Sequence, residues 1–274
     1  MKRLLLLGLV VFPLAATQAI TVKVTVTNNS PADGVGLAPF WAGFHNGSFD
    51  SYDGGVAATP ALETLAEVGS PADISAVFGS GGTLVSTGTT QTGTRVQGNT
   101  GLLAQGASET LMFDVASDGS NDYFSYASMI LPSSDYFIAN GNPLAIDLSS
   151  ILSGGGVIEF GVGLAGTILD AGTEINDFAF SAGNPLVGIP AGDAPNGADE
   201  GGVVSNVANP FAGFLNAPGG FTVGNLDFND SAIYPDGVAT VRIEAIRPTG
   251  VPEPGAALPI AALGLMAFLR RRKA

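Results

Sequence analysis

The chain has 274 residues, a formal net charge of −14, 46% hydrophobic residues and no cysteine. Six of its ten basic residues lie in the first three and last five positions, so only Lys23, Arg95, Arg242 and Arg247 oppose the 24 acids in between. An acidic surface of this kind repels phosphate backbones and excludes nucleic acid binding. Cations are instead the expected partners of such a surface. The lack of cysteine excludes disulfides.

The N-terminus has the pattern of a secretory signal peptide. Lys2 and Arg3 precede an apolar stretch from Leu4 to Ala16, and small residues surround a cleavage position after Ala19. We therefore predict that residues 1–19 are removed on export.

The composition of residues 20–250 favours one all-β domain. The 39 glycines and 17 prolines of the chain suit short strands joined by many turns. Valines alternate with polar residues over 21–27, and a similar alternation over 241–245 predicts the last strand. Other strands, several of them central because both faces look apolar, are predicted at residues 111–115, 123–131 and 157–162. We expect an antiparallel β-sandwich with long loops.

One short helix is predicted over about residues 59–68. Thr59 suits the N-cap position and Pro60 the first helical position. Leu65 lies on a predicted apolar face, and Gly69 suits the C-terminal end.

Three segments in the same order are similar to motifs of the spondin N-terminal domain. They are residues 37–78, with Phe44-His45-Asn46, residues 128–137, with a Pro-Ser-Ser-Asp turn, and residues 169–174, with Asp-Ala-Gly-Thr-Glu. The resemblance covers most of residues 21–246. It implies a β-sandwich related in shape to calcium-binding C2 modules, with one divalent cation at its tip.

The resemblance also implies the ligands of that cation, which are Asp135, Asp170 and Glu174. Calcium prefers six to eight hard oxygen ligands, so carboxylates on loops suit it. Gly172 lets the turn between Asp170 and Glu174 fold back so that both carboxylates face one point. Asp135 follows an apolar strand, and we expect it at the same edge. Glu174 stands where the family often has an aspartate, which leaves the identity of the metal open.

A connection from Ala182 to Gly220 is rich in glycine, asparagine and proline and has little periodicity. Its acids Asp193, Asp199 and Glu200 are candidates for a second ion site. We expect them to be solvated side chains instead.

Other residues suggest two alternative functions. Trp41, with Phe40 and Phe44, suggests a sugar-stacking platform and thus a metal-independent glycan-binding module, although clustered aromatics in a β-protein usually form core. His45, the only histidine, is the starting point for a secreted hydrolase. We expect His45 to be buried and hydrogen-bonded, and we predict that the protein is not an enzyme.

The C-terminus, residues 251–274, has three parts. Val-Pro-Glu-Pro-Gly at 251–255 precedes an apolar run at 256–269 and four basic residues at 270–273. A 14-residue helix spans only about 21 Å, which makes a marginal membrane segment, and the basic end favours the cytoplasmic side. The layout resembles the PEP-CTERM tail of Gram-negative bacteria, which an exosortase processes and which is often associated with extracellular polysaccharide.

Together these patterns predict an exported protein at the cell surface or in the extracellular matrix of a Gram-negative bacterium, tethered in the membrane before its tail is processed. We expect it to bind calcium and to act in adhesion or biofilm formation. Its expected partners are extracellular polysaccharide or cell-surface components.

Overall fold

The computed structural model describes residues 19–81, 95–176, 198–207 and 223–246. The strands, in chain order, are β1 (Ala19–Asn28), β2 (Gly36–Leu37), β3 (Trp41–His45), β4 (Val96–Asn99), β5 (Ser108–Ala116), β6 (Tyr123–Leu131), β7 (Tyr136–Ala139), β8 (Gly156–Val162), β9 (Leu169–Asp170), β10 (Ser205–Asn206) and β11 (Ala239–Ile246). The helices are α1 (Pro60–Val68), α2 (Ala72–Gly79) and α3 (Ser149–Gly154). The strands form two antiparallel sheets, which confirms the predicted β-sandwich.

The first sheet has four strands in the order β5-β1-β11-β8. Val22, Val24 and Val26 of β1 are fully buried, and the threonines and the lysine between them stay half-exposed. Val24 pairs with Ile243 of β11 on one side and with Leu111 of β5 on the other. The two strands predicted from alternation at the ends of the domain are thus neighbours at the centre of one sheet.

The second sheet has the order β10-β9-β7-β6-β3-β4, and β2 also pairs with β6. One face packs on the first sheet through residues such as Phe44 and Phe124. The opposite face packs Trp41 and Phe137 against α1 and α2. Because this sheet is covered on both faces, all five residues of β3 are buried, and β6 is central as the sequence predicts.

The other two strands of that predicted group, at residues 111–115 and 157–162, lie at sheet edges. β5 and β8 are the two edge strands of the first sheet. Their outward faces expose single apolar side chains, with Met112 at 57% and Val157 at 40% exposure. Isolated apolar residues are ordinary on protein surfaces, so an apolar pattern on both faces did not distinguish an edge strand from a central one.

Helix α1 forms where its end signals predict it. The Thr59 hydroxyl oxygen accepts the Leu62 N–H at 3.4 Å, and Pro60 is the first helical residue. Gly69 ends the helix with φ +68, and a Cβ there would lie 2.6 Å from the Cβ of Ala38. The helix therefore needs glycine at this end, both for its conformation and for its close packing on the sheet.

The prediction of a single helix is wrong, because α2 and α3 also form. Neither has a side-chain cap, since Pro71 precedes α2 and Leu148 precedes α3. Their buried residues, among them Phe78 and Leu152, show that tertiary packing stabilises them. Short helices without cap residues leave little signal in a sequence.

No helix within residues 19–81, 95–176, 198–207 or 223–246 is long and apolar enough to cross a membrane. The predicted tail segment at 256–269 lies outside the described residues, as does the predicted signal peptide up to residue 18. Most of the connection from Ala182 to Gly220, including Asp193, also lies outside them.

Candidate metal centre

Two of the predicted ligands meet where β7 pairs with β9. Asp135 ends the turn that follows Leu131, the last residue of β6, and directly precedes Tyr136, the first residue of β7. Tyr136 is opposite Asp170 in the β7–β9 register. The Ala171 N–H also donates to the Asp135 carbonyl oxygen at 3.2 Å. Strand pairing thus brings the Asp135 turn next to the loop that follows Asp170.

Asp135 is fully buried, and its two carboxylate oxygens have different surroundings. Oδ2 accepts the Thr173 N–H at 2.9 Å, the Thr173 hydroxyl at 3.3 Å and the Glu174 N–H at 3.1 Å. Oδ1 is buried and accepts no N–H or hydroxyl hydrogen bond from the described residues. A buried acceptor without a donor is costly, and a cation beside Oδ1 would remove that cost.

Asp170 is half-buried and held from two sides. The Gly172 N–H donates to Oδ1 at 2.7 Å, and the Asn176 side-chain amide donates to Oδ2 at 2.9 Å. The side-chain oxygen Oδ1 of Asn176 accepts a hydrogen bond from the Ser134 hydroxyl at 2.9 Å. Gly172 has φ +67, and a Cβ there would lie 2.6 Å from the Val203 nitrogen, so the loop can fold back only with glycine at this position.

The carboxyl groups of Asp135 and Asp170 are close enough to share a hydrogen bond. Burial, followed by the charge of Asp135, raises the pKa of Asp170 to about 7. Burial also raises the pKa of Asp135. Without a cation, the pair therefore holds one shared proton up to near-neutral pH, as expected for two adjacent carboxylates.

Glu174, the third predicted ligand, contacts Asp135 through its backbone N–H, and its side chain is 2% exposed. It also forms a β-bridge with Asp199. No group of three or more histidine, cysteine or acidic residues stands in position to hold a metal ion in the described part of the chain. The structure thus brings together the Asp135 and Asp170 carboxyl groups, and the three-ligand set stays a prediction.

Glu67 of α1 is an acid that the sequence analysis did not select. Its side chain is 5% exposed. Burial raises its pKa to about 7, a hydrogen bond with the Thr173 side chain opposes this shift, and the charges of Glu63, Asp135 and Asp199 add to it. The available sequence signal was weak: α1 contains two acids and no basic residue. We call Glu67, Asp135 and the loop 170–174 the acidic tip.

The described cations do not compensate the acidic tip. Both ion pairs among these residues are made by Arg242 of the first sheet, with Glu159 and Glu244. Arg95 donates to the carbonyl oxygens of Phe78 and Gly81. The acidic tip therefore offers hard carboxyl oxygens with no ion pair to Asp135, Asp170 or Glu67 among the described residues, a donor set that fits calcium better than zinc.

The residues behind the two alternative functions are buried. His45 has Nε2 2.9 Å from the Ser125 hydroxyl oxygen, and its Nδ1 accepts the Gly47 N–H at 3.0 Å. Burial lowers the pKa of His45 to about 3, so the ring is neutral and both nitrogens are engaged, which confirms the predicted buried, hydrogen-bonded histidine. Trp41 is fully buried, and its indole N–H donates to Gln97, so it offers no exposed ring for a sugar.

Comparison with known proteins identifies the tail. No curated protein matches the chain. The resemblance to the spondin N-terminal domain stays a prediction, because the family match lies in the tail. Residues 250–273 match the PEP-CTERM protein-sorting motif. The chain therefore carries the sorting signal of an exported protein that an exosortase processes, anchored in the membrane before processing and displayed at the surface.

Proposed function

We propose that this chain is a spondin-like adhesion protein that binds one calcium ion at its acidic tip. It acts at the cell surface or in the extracellular matrix of a Gram-negative bacterium. The observation that carries the calcium proposal is the buried Oδ1 of Asp135, which accepts no N–H or hydroxyl hydrogen bond from the described residues, with the Asp170 carboxyl group close to that of Asp135. The adhesion proposal rests on surface delivery by the tail.

Calcium would replace the proton that Asp135 and Asp170 share. A divalent ion between two carboxylates turns their repulsion into attraction and satisfies the buried Oδ1. Asn176 and the Gly172 N–H already hold the Asp170 carboxylate, so little side-chain freedom is lost on binding. Glu174 is the third predicted ligand, and water and backbone carbonyls would complete the shell.

An ion held by few protein ligands keeps open coordination positions. Hydroxyl and carboxylate oxygens of an extracellular polysaccharide are hard donors that suit these positions. We therefore propose such a polymer, or the surface of a neighbouring cell, as the partner in adhesion and biofilm formation.

Calorimetric titration of the full-length chain in detergent with calcium tests the metal proposal. We expect a saturable signal with a Kd of about 10⁻⁴–10⁻³ M, the range of extracellular calcium modules. The Asp170→Ala variant should lose it. Asp114→Ala, which removes an exposed carboxylate on β5, should bind as the wild type does. The absence of heat in the wild type would contradict the metal proposal.

Adhesion requires a separate measurement. Binding of the chain to purified exopolysaccharide or to cells should fall when EDTA is added and return with excess calcium. Asp170→Ala should show the same low binding with or without calcium. Binding that persists in EDTA would favour the metal-independent glycan-binding alternative.

A further inference from the structure

The first and last strands of the described domain have their outer ends side by side. β1 and β11 are antiparallel neighbours in the first sheet, with Thr21 opposite Ile246, the last residue of β11. Ala19, where β1 begins, is opposite Ala116, where β5 ends, and β8 also begins at this end of the sheet. We call this end of the sandwich the tail end, because the chain leaves the domain here on its way to the sorting motif.

The acidic tip lies at the opposite end of the sandwich. Asn28, the last residue of β1, donates from its side-chain amide to the Val35 carbonyl oxygen at 3.0 Å. The next residue, Gly36, pairs with Leu131, the last residue of β6. The turn that carries Asp135 follows Leu131 directly. The far end of β1 and the acidic tip are therefore at the same end of the domain.

Strand β6 connects the two ends and gives their separation. It begins at Tyr123, which follows the tail end of β5 after the short connection 117–122. It ends at Leu131, beside the turn to Asp135. At about 3.3 Å per residue, its nine residues span about 26 Å.

The connection to the membrane segment is short compared with this separation. β11 ends at Ile246, the sorting motif matches from residue 250, and the apolar run begins at residue 256. A chain of about ten residue steps reaches at most about 35 Å when fully extended. A flexible chain of that length has an r.m.s. end-to-end distance of only about 16–19 Å. The membrane attachment therefore stays closer to the tail end than to the acidic tip.

We propose that the tethered chain stands with its tail end at the lipid surface and its acidic tip directed away from it, toward extracellular polysaccharide beyond the membrane. For the acidic tip to reach the head groups of the same membrane, the connection would have to run almost fully extended along the domain. The orientation follows from strand register and chain length and needs no bound ion. That the outward end is the adhesive one rests on the proposed function.

The orientation can be measured with single cysteines, because the chain has none of its own. Ser150 is exposed on α3, which leads into the tail end of β8, and Ser205 is exposed on β10 opposite Asp170. The exported chain with its tail intact is made as Ser150→Cys or Ser205→Cys, labelled with a donor dye and reconstituted in vesicles that contain acceptor-labelled lipid. Energy transfer should place residue 150 closer to the lipid than residue 205 by up to about 25 Å. Equal distances, or a shorter distance from residue 205, would overturn the proposal.

A longer connection provides the matched control. Inserting about 30 glycine and serine residues after Arg247 raises the r.m.s. length of the connection to about 32–38 Å, which exceeds the length of β6. The difference between the two labels should then largely disappear. A difference that stays unchanged would overturn the short connection as the cause of the orientation.

The adhesive end is tested separately, with the same two variants. A bulky polymer attached to the cysteine at position 205 should abolish binding of the tethered chain to purified exopolysaccharide in calcium. The same polymer at position 150 should leave binding unchanged. Equal loss at both positions would overturn the acidic tip as the contact surface. Lack of binding by the unlabelled wild type would overturn the proposed function, while the vesicle distances still decide the orientation.

Discussion

The outer face of the first sheet and the acidic tip both carry acidic residues, but the surroundings of these residues differ between the two regions. On the sheet, the hydroxyl oxygens of Thr25 and Thr110 are hydrogen-bonded across neighbouring strands at 3.0 Å. The Asp114 carboxylate accepts a hydrogen bond from the Thr21 hydroxyl at 3.2 Å. Arg242 lies 3.7 Å from Glu159 and 3.5 Å from Glu244. At the acidic tip, Asp135 and Glu67 are buried without an ion-pair partner among the described residues.

This difference shows that the position of a charge matters more than the number of charges. Exposed acids keep their hydration, so a pair on the sheet contributes little to stability and indicates no function. Buried acids that lie close together raise the free energy of the folded state unless they share a proton or a cation joins them. At the acidic tip, a bound cation would therefore stabilise the folded state.

The largest expected effect comes from removing the acceptor that organises the loop 170–174. Asp135→Ala leaves the Thr173 and Glu174 N–H groups without their acceptor. It should lower the free energy of unfolding in EDTA by about 2–3 kcal/mol. Asp135→Asn keeps one carbonyl oxygen for these donors and should cost less than about 1 kcal/mol. Urea unfolding measures both, and equal losses would show that the hydrogen bonds to Asp135 do not stabilise the loop.

Calcium should stabilise the wild type almost as strongly. At a free concentration of about 100 times the Kd, binding to the folded state adds about 2.7 kcal/mol. For a domain of this size that raises the unfolding midpoint by about 5–10 °C. The midpoint of Asp135→Asn should not respond, and a response equal to that of the wild type would place the ion elsewhere.

The pH dependence should differ with and without calcium. In the folded protein the pKa of Asp170 is about 7, above its ordinary value of 3.8, so the folded state holds the extra proton between these pH values. The contribution of this proton on Asp170 to the free energy of unfolding is complete below about pH 4 and is lost as the pH rises through about 7. In EDTA, wild type should lose stability relative to Asp170→Asn over this window. Thermal unfolding from pH 4 to pH 8 measures the difference, and a constant gap would contradict the shared proton.

Calcium should reverse this trend, because the ion binds the deprotonated carboxylates. Calcium affinity should therefore increase from pH 5 to pH 8. Titrations at these two pH values provide the comparison, and equal affinities would separate the ion from the Asp135–Asp170 pair.

The smallest effect is expected on the sheet. Arg242→Gln removes both ion pairs of the described residues, yet exposed pairs contribute at most about 0.5–1 kcal/mol. Its calcium affinity should equal that of the wild type. A decrease of more than about 2 kcal/mol in the free energy of unfolding, measured in urea, would mean that these ion pairs stabilise the sheet more than exposed pairs do.

The fold was predictable where local signals are strong. Val22, Val24 and Val26 mark a strand by alternation, and Thr59 and Gly69 mark the ends of a helix. The edge positions of β5 and β8 were not predictable, because strand order depends on pairing between segments far apart in the chain. The helices α2 and α3 lack cap signals and depend on tertiary packing.

The candidate site shows the same limit. Motif resemblance selected Asp135 and Asp170, and the β7–β9 register brings them together. Glu67 was missed because its burial arises only when α1 docks on the second sheet. A sequence pattern identifies Asp135 and Asp170, but the packing of a helix decides that Glu67 is buried.

The most direct test of the central claim is a crystal structure grown in calcium, with the ion identified by its anomalous signal. We predict one calcium ion at about 2.3–2.6 Å from oxygens of both Asp135 and Asp170. Carboxyl groups of Asp135 and Asp170 in direct contact, with no ion beside Oδ1 at saturating calcium, would contradict it.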